Sequence, residues 1–194
     1  MFSTSYLKLL REFEGYFARP YVCPAGYCTI GYGTNLEAHP RFIDDAQARE
    51  MAQSKSLRGA KLCKCLTDLG MVWNREKAEE AMVWELERVH TQLQAACMAY
   101  VKLRAKTNDP AAQVRADALL DMGYNMGVGR ASNPSKGIRG SGLLGFSTTL
   151  PMIERGEYAA AAENLTKSKW YRQVGRRSKA VCFMIKTGTY PEKL

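Results

Sequence analysis

Residues 12–34 read EFEGYFARPYVCPAGYCTIGYGT. Upstream, residues 3–13 place apolar side chains at Tyr6, Leu7, Leu9, Leu10 and Phe13, a helical stripe. Ser3 or Ser5 can cap that helix, and Gly15 suits its end. Short runs rich in Tyr, Val, Thr and Ile follow, punctuated by Pro24, Gly26, Gly31 and Gly33, which predicts a small antiparallel hairpin sheet. Pro24 pre-sets φ for a type I turn and Gly26 supplies the left-handed residue of a three-residue loop. Closing the turn this way pairs Cys23 with Tyr27, Val22 with Cys28, and Tyr21 with Thr29. Side chains alternate across a strand, so Cys23 and Thr29 share one face as diagonal neighbours, roughly 7–8 Å apart. Cys28 points to the other face. Glu14 arrives beside them from the end of the first helix.

An acid facing a second polar group across a small cavity is an arrangement that hydrolyses glycosides. One group protonates the leaving oxygen, and the other handles water or the sugar cation. The same spacing also fits a solvated acid at a helix end and a cysteine that only fills a turn, and both readings stay open on spacing alone.

The body that carries this stretch has 194 residues, 46% hydrophobic and 24% charged, ordinary globular usage with room for a real core. No apolar run approaches the ~18 residues of a membrane span, and MFSTSYLKLLREFEG does not read as a signal peptide. With 28 basic against 19 acidic residues, the net +9 favours a polyanionic partner. The charge is spread along the chain with no nucleic-acid signature, so nucleic acid is not the expected partner. Cys63 and Cys65 in LCKCL lack a second ligand pair, which argues against zinc, and all six cysteines read as reduced thiols. Cys97 and Cys182 lie in apolar runs and are expected in the core.

A short helix is expected around 43–59, then one long helix of roughly 25 residues, about 38 Å, opening at Asn74. Helices are expected from AAQVRADALLDMGYNM, FSTTLPMIERG, EYAAAAENLTKS and GRRSKAVCFMIKTG. Residues 129–142, GRASNPSKGIRGSG, read as a mobile basic loop at the rim of a cleft. Trp170 and Tyr171 read as packing residues, Lys169 and Arg177 as cleft-side or surface charges, and His39 and His90 as solvated. The fold class is α+β: a small lobe with a hairpin sheet (about 1–73), a connecting helix (74–105) and an all-helical lobe (106–194), with a ligand cleft between the lobes.

The spacing Glu14, Cys23, Thr29, followed by TIGYGT, resembles the catalytic motif of phage lysozymes of glycoside hydrolase family 24. The resemblance resumes at MGYNMGVG, at GLLGFSTTLPMIERGEYAAAAENLTKSKWYRQVGRRSKAV and at FMIKTGTY, which are similar to the carboxy-terminal lobe of the T-even branch. It covers most of the chain and is weakest over 36–73 and over 129–142, where the chain carries what resembles an insertion. It implies a single lysozyme-like domain over 1–194.

Residue by residue, the resemblance implies Glu14 as general acid, Cys23 at a position where the T-even branch has aspartate and other members have cysteine, and Thr29 as the group that positions water. Saccharide-contact positions fall on Asn35, Tyr124, Thr149 and Asn164. The implied protein is an endolysin with muramidase activity, cutting β-1,4 bonds between N-acetylmuramic acid and N-acetylglucosamine in bacterial peptidoglycan, without metal or cofactor. It is expected to be a monomer with no stable membrane insertion. It would gather in the host cytoplasm and reach the wall in the periplasm after a separate membrane lesion. A lytic transglycosylase of similar shape and a non-catalytic wall-binding or effector module are the competing readings.

Overall fold

Ser3 starts the first helix. In the computed structural model, which describes residues 2–192, its hydroxyl accepts the Tyr6 N–H at 3.1 Å. Helix α1 then runs over Thr4–Glu14, and Gly15, at φ +68°, ends it. Strands β1 (Phe17–Val22), β2 (Cys28–Gly31) and β3 (Thr34–Asn35) form one antiparallel sheet in that order. Helix α2 (Ala46–Gln53) is capped by Asp45, whose carboxylate accepts the Ala48 N–H at 2.7 Å.

Helix α3 (Gly59–Asp68) contains LCKCL, which sequence reading left without an element. Leu62 and Leu66 are buried one turn apart along it. Then come α4 (Arg75–Ala96), α5 (Met98–Arg104) and α6 (Pro110–Met126), the last capped by Asp109 with proline in its first turn. Helices α7 (Thr149–Glu154), α8 (Tyr158–Thr166), α9 (Lys169–Val174) and α10 (Arg176–Thr187) complete the chain. The α+β, lysozyme-like class is what the sequence implied.

The chain divides into two compact units. Among the described residues, one is Lys8–Glu85 and the other takes residues 2–7 and 86–192. In Lys8–Glu85, Leu10, Ile30, Leu36, Ile43, Leu62, Leu66, Trp73 and Met82 are buried, each worth about 1.5–3 kcal/mol on leaving water. In the helical unit, α6 is buried along most of its length and α10 buries Val181, Met184 and Ile185. Cys97 and Cys182 are buried, as their apolar neighbours suggested.

Four expectations change. The long helix breaks at Cys97, whose backbone is extended at φ −118° and ψ 97°. Residues ten apart on a continuous helix stand about 15 Å apart. His90 Nδ1 and the Tyr100 hydroxyl are 2.6 Å apart, which only a break allows. The same bond removes His90 from the solvated class. His39 leaves it too, with Nε2 3.2 Å from Glu85 Oε2 and its ring edge-on to Trp84 at 5.1 Å.

Arg177 is not a surface charge. It is buried, with Nε and a terminal nitrogen on the two Asp121 oxygens at 2.9 and 3.0 Å. Residues 129–142 are not an open loop either. Backbone bonds in both directions join Arg130 to Ser141 and Asn133 to Ile138, around a 3₁₀ turn at Pro134–Lys136. A Cβ on Gly129 would meet the Ser141 carbonyl oxygen at 2.0 Å, so the two arms run too close for a side chain there. Trp170 is buried and donates its indole N–H to Asn125 Oδ1 at 2.9 Å, in keeping with a packing role.

Candidate active site

The tip of the β1–β2 hairpin has the predicted register. Tyr21 pairs with Thr29 and Val22 with Cys28, and the Cys23 N–H donates to the Tyr27 carbonyl at 3.0 Å. Gly26, at φ +85°, closes the loop with its N–H on the Cys23 carbonyl at 2.8 Å. Cys23 and Thr29 are consequently neighbours on one face, near enough for the hydroxyl to hydrogen-bond the sulfur. That hydroxyl also lies 3.1 Å from the Tyr27 carbonyl oxygen. It has one hydrogen and two acceptors in reach. Burial pushes the Cys23 thiol up, but the Thr29 hydroxyl and the N–H groups of Tyr27, Ala25 and Gly26 outweigh it and hold the thiol below its ordinary value.

Glu14 is the last residue of α1 and half-buried. Its Oε2 lies 3.0 Å from the point where a Cβ on Gly33 would sit. Gly33, at φ +82°, takes a backbone conformation that side-chain-bearing residues rarely adopt, and its bare Cα leaves the room that the carboxylate occupies.

Tyr21 lies near both Glu14 and Cys23. Burial raises its hydroxyl pKa, and the negative charges of Cys23 and Glu14 add to the rise. Its ring is tilted against Phe17 at 4.4 Å between centroids. Sequence reading did not place Tyr21 in the site. The signal was present, since Tyr21 precedes Cys23 by two residues and faces Thr29 across the strands.

Glu37 pins this hairpin from behind. Its Oε1 accepts N–H groups from Cys28 at 2.9 Å and Gly59 at 2.8 Å, and its Oε2 accepts Arg58 Nε at 3.1 Å. Burial works to raise its pKa, yet those three donors and the Arg58 charge hold the carboxyl below its ordinary value.

Asn35 pairs with Thr29 across β2 and β3, so Tyr21, Thr29 and Asn35 form a row across the sheet. The Asn35 side-chain oxygen accepts from Glu37 N and Ala38 N at 2.9 and 3.1 Å. The other three expected contact residues belong to the helical unit. Thr149 is buried and donates its hydroxyl to Asn164 Oδ1 at 2.9 Å. Tyr124, half-buried on α6, has the Arg177 guanidinium 5.9 Å from its ring centre. Glu14, Cys23, Thr29 and Asn35 thus gather in one unit, and Tyr124, Thr149 and Asn164 lie in the other. Among the described residues, no group of three or more His, Cys, Asp or Glu is arranged to hold a metal ion.

The family model for phage lysozyme matches residues 11–182. The chain belongs to the phage lysozyme family. It is a lysozyme-type glycosidase of the endolysin kind, and peptidoglycan is its substrate class. The matched range of this phage lysozyme begins three residues before Glu14 and takes in the hairpin, Tyr124, Thr149 and Asn164. No helix among the described residues is long and apolar enough to cross a membrane.

Proposed function

We propose that this phage lysozyme is a muramidase that hydrolyses the β-1,4 bond between N-acetylmuramic acid and N-acetylglucosamine, and that this cleavage lyses the host. The observation that carries the reading is the cluster at the hairpin tip, where the hairpin register puts Cys23 and Thr29 on one face and the Glu14 carboxyl lies over Gly33. In this reading Glu14 gives its proton to the glycosidic oxygen as the bond breaks, which supplies the leaving group with the charge balance it needs. Cys23, as thiolate, stabilises the sugar cation or takes a proton from the attacking water, and Thr29 orients that water. Tyr21, kept neutral, is a hydroxyl donor beside both groups.

Asn35, Tyr124 and Asn164 would meet the saccharide. With its oxygen engaged by two backbone N–H groups, Asn35 has its amide nitrogen left to donate. Thr149 would act through Asn164, whose orientation its hydroxyl fixes. The net charge of +9 draws the protein toward anionic wall polymers. The protein would work as a monomer and cross to the wall after a separate membrane lesion.

The test is digestion of purified sacculi with mass analysis of the released muropeptides. Reducing-end N-acetylmuramic acid is the expected product. Anhydro-sugar ends would identify a transglycosylase, and pelleting with sacculi without fragment release would identify a binding module.

A further inference from the structure

All six cysteines are free thiols, and two of them meet behind the hairpin. Cys28 is fully buried on β2 and faces away from Cys23. The Glu37 Oε1 atom accepts both Cys28 N and Gly59 N, which ties β2 to the first residue of α3 through one oxygen. A Cβ on Gly59 would meet the Gly26 carbonyl oxygen at 2.8 Å, so the loop and the start of α3 are in close backbone approach. Cys63 follows Gly59 by four residues, one turn along the same face of α3. That spacing, with Gly59 and Cys28 bound to the same Glu37 oxygen, brings the Cys63 side chain to the Cys28 side of the hairpin, where the two thiols interact. Cys65 is two residues further on and points to another side of the helix.

We infer that Cys28 and Cys63 are an oxidisable pair whose disulfide fastens the proposed catalytic hairpin to α3. The oxidant class is a small-molecule disulfide such as oxidised glutathione. Half-buried Cys63 is the thiol that such a reagent can reach. As thiolate it attacks one glutathione sulfur, forming a mixed disulfide and expelling glutathione thiolate. The Cys28 sulfur then attacks Cys63 Sγ, gives up its proton, and expels the second glutathione. Two thiols become one disulfide, and one glutathione disulfide becomes two thiols. Burial of Cys28, and the negative charge of Cys63 and Glu37 beside it, push its thiol well up. Cys63 is therefore the thiol that attacks the oxidant first, and Cys28 the one that resolves the mixed disulfide. The inference is independent of the proposed muramidase chemistry, because Cys28 faces away from Cys23 and Thr29.

The experiment oxidises the full chain in a glutathione buffer, counts thiols after denaturation and maps the linked peptides. The mapping is repeated in Cys23→Ser, which leaves Cys28 the sole thiol of the hairpin. The expected result is loss of two of the six thiols, a peptide joining the Cys28 and Cys63 segments, and a Tm rise of roughly 5–10 °C that dithiothreitol reverses. Cys63→Ser should abolish the link and Cys65→Ser should leave it. Retention of all six thiols, a link through any other cysteine, a glutathione adduct that stops at Cys63, or an unchanged Tm on oxidation would each overturn the inference.

Discussion

Replacing Gly33 with alanine separates the position of the Glu14 carboxyl from the stability of the fold. The substitution has two effects. At φ +82° any Cβ is strained, at a cost of about 1–2 kcal/mol in stability, equivalent to a Tm loss of roughly 3–6 °C. The new methyl would also stand 3.0 Å from Glu14 Oε2, a few tenths of an ångström inside ordinary contact. The carboxylate is the far end of a flexible side chain, so it yields cheaply and moves by that amount. A misplacement of ~1 Å at a reacting group costs about 100-fold, so this shift should cost roughly 3- to 10-fold in rate.

Gly70→Ala is the control. Gly70 has φ +74° with nothing within 4 Å of its added Cβ, so it bears the backbone cost without touching the acid. Both variants should show similar losses in Tm by circular dichroism. Only Gly33→Ala should clear a sacculus suspension more slowly at a temperature where both are folded. Equal rates for the two variants would show that the placement of Glu14 over Gly33 has no part in lysis.

Glu14→Gln keeps the shape and removes the acid, and should lower the turbidity-clearing rate at least ~100-fold; wild-type-like clearing would end the acid assignment. Because the Cys23 thiol lies below its ordinary value, thiolate-dependent activity should level off at lower pH than an unperturbed thiol of pKa ~8.5 allows. Thr29→Val removes a donor to the sulfur and should shift that rise toward higher pH, while Cys23→Asp keeps substantial lysis, and normal lysis by Cys23→Ala would remove the thiol from the mechanism. Glu37→Ala leaves the Cys28 and Gly59 N–H groups without their acceptor and should lose about 2–4 kcal/mol in urea unfolding. Since the Glu37 carboxyl lies below its ordinary value, its stabilisation is full above the unfolded-state pKa of ~4.3 and lost as pH falls through the lower folded value; Glu37→Gln should flatten that acid limb of the stability curve. In the 129–142 hairpin, the amides of Arg130, Asn133, Ile138 and Ser141 should exchange more slowly than that of Ser135 in native-state hydrogen exchange, and uniform fast exchange would return the segment to an open loop.

The hairpin was legible because its constraints are local. Pro24 and Gly26 fix one turn, the turn fixes the register, and alternation then puts Cys23 and Thr29 on one face. What escaped reading depends on partners far along the chain. Arg177 looks like any surface cation until Asp121, 56 residues earlier, is found beside it. The break at Cys97 has no glycine or proline to announce it, and the bond between His90 and Tyr100 that it permits is not encoded in local propensity. Residues 129–142 are rich in glycine and serine, which signal turns as readily as mobility, and only the cross-strand pairing distinguishes them. Of the candidate site, the acid, thiol and hydroxyl came from spacing and resemblance. That Thr149 is spent on Asn164 required coordinates.

The lone hydrogen of the Thr29 hydroxyl makes the site's response to charge a matter of one bond rotation. While Cys23 is a neutral thiol, the hydroxyl can rest on the Tyr27 carbonyl. When the thiol ionises, the same hydrogen swings to the sulfur. The carbonyl it deserts is not stranded, because the Cys23 N–H already occupies its other lone pair. Creating the anion thus needs no incoming solvent and leaves no buried acceptor bare. An aspartate side chain would carry its charge permanently and have no use for such a rotor, whereas a cysteine that gains and loses its charge can run through it.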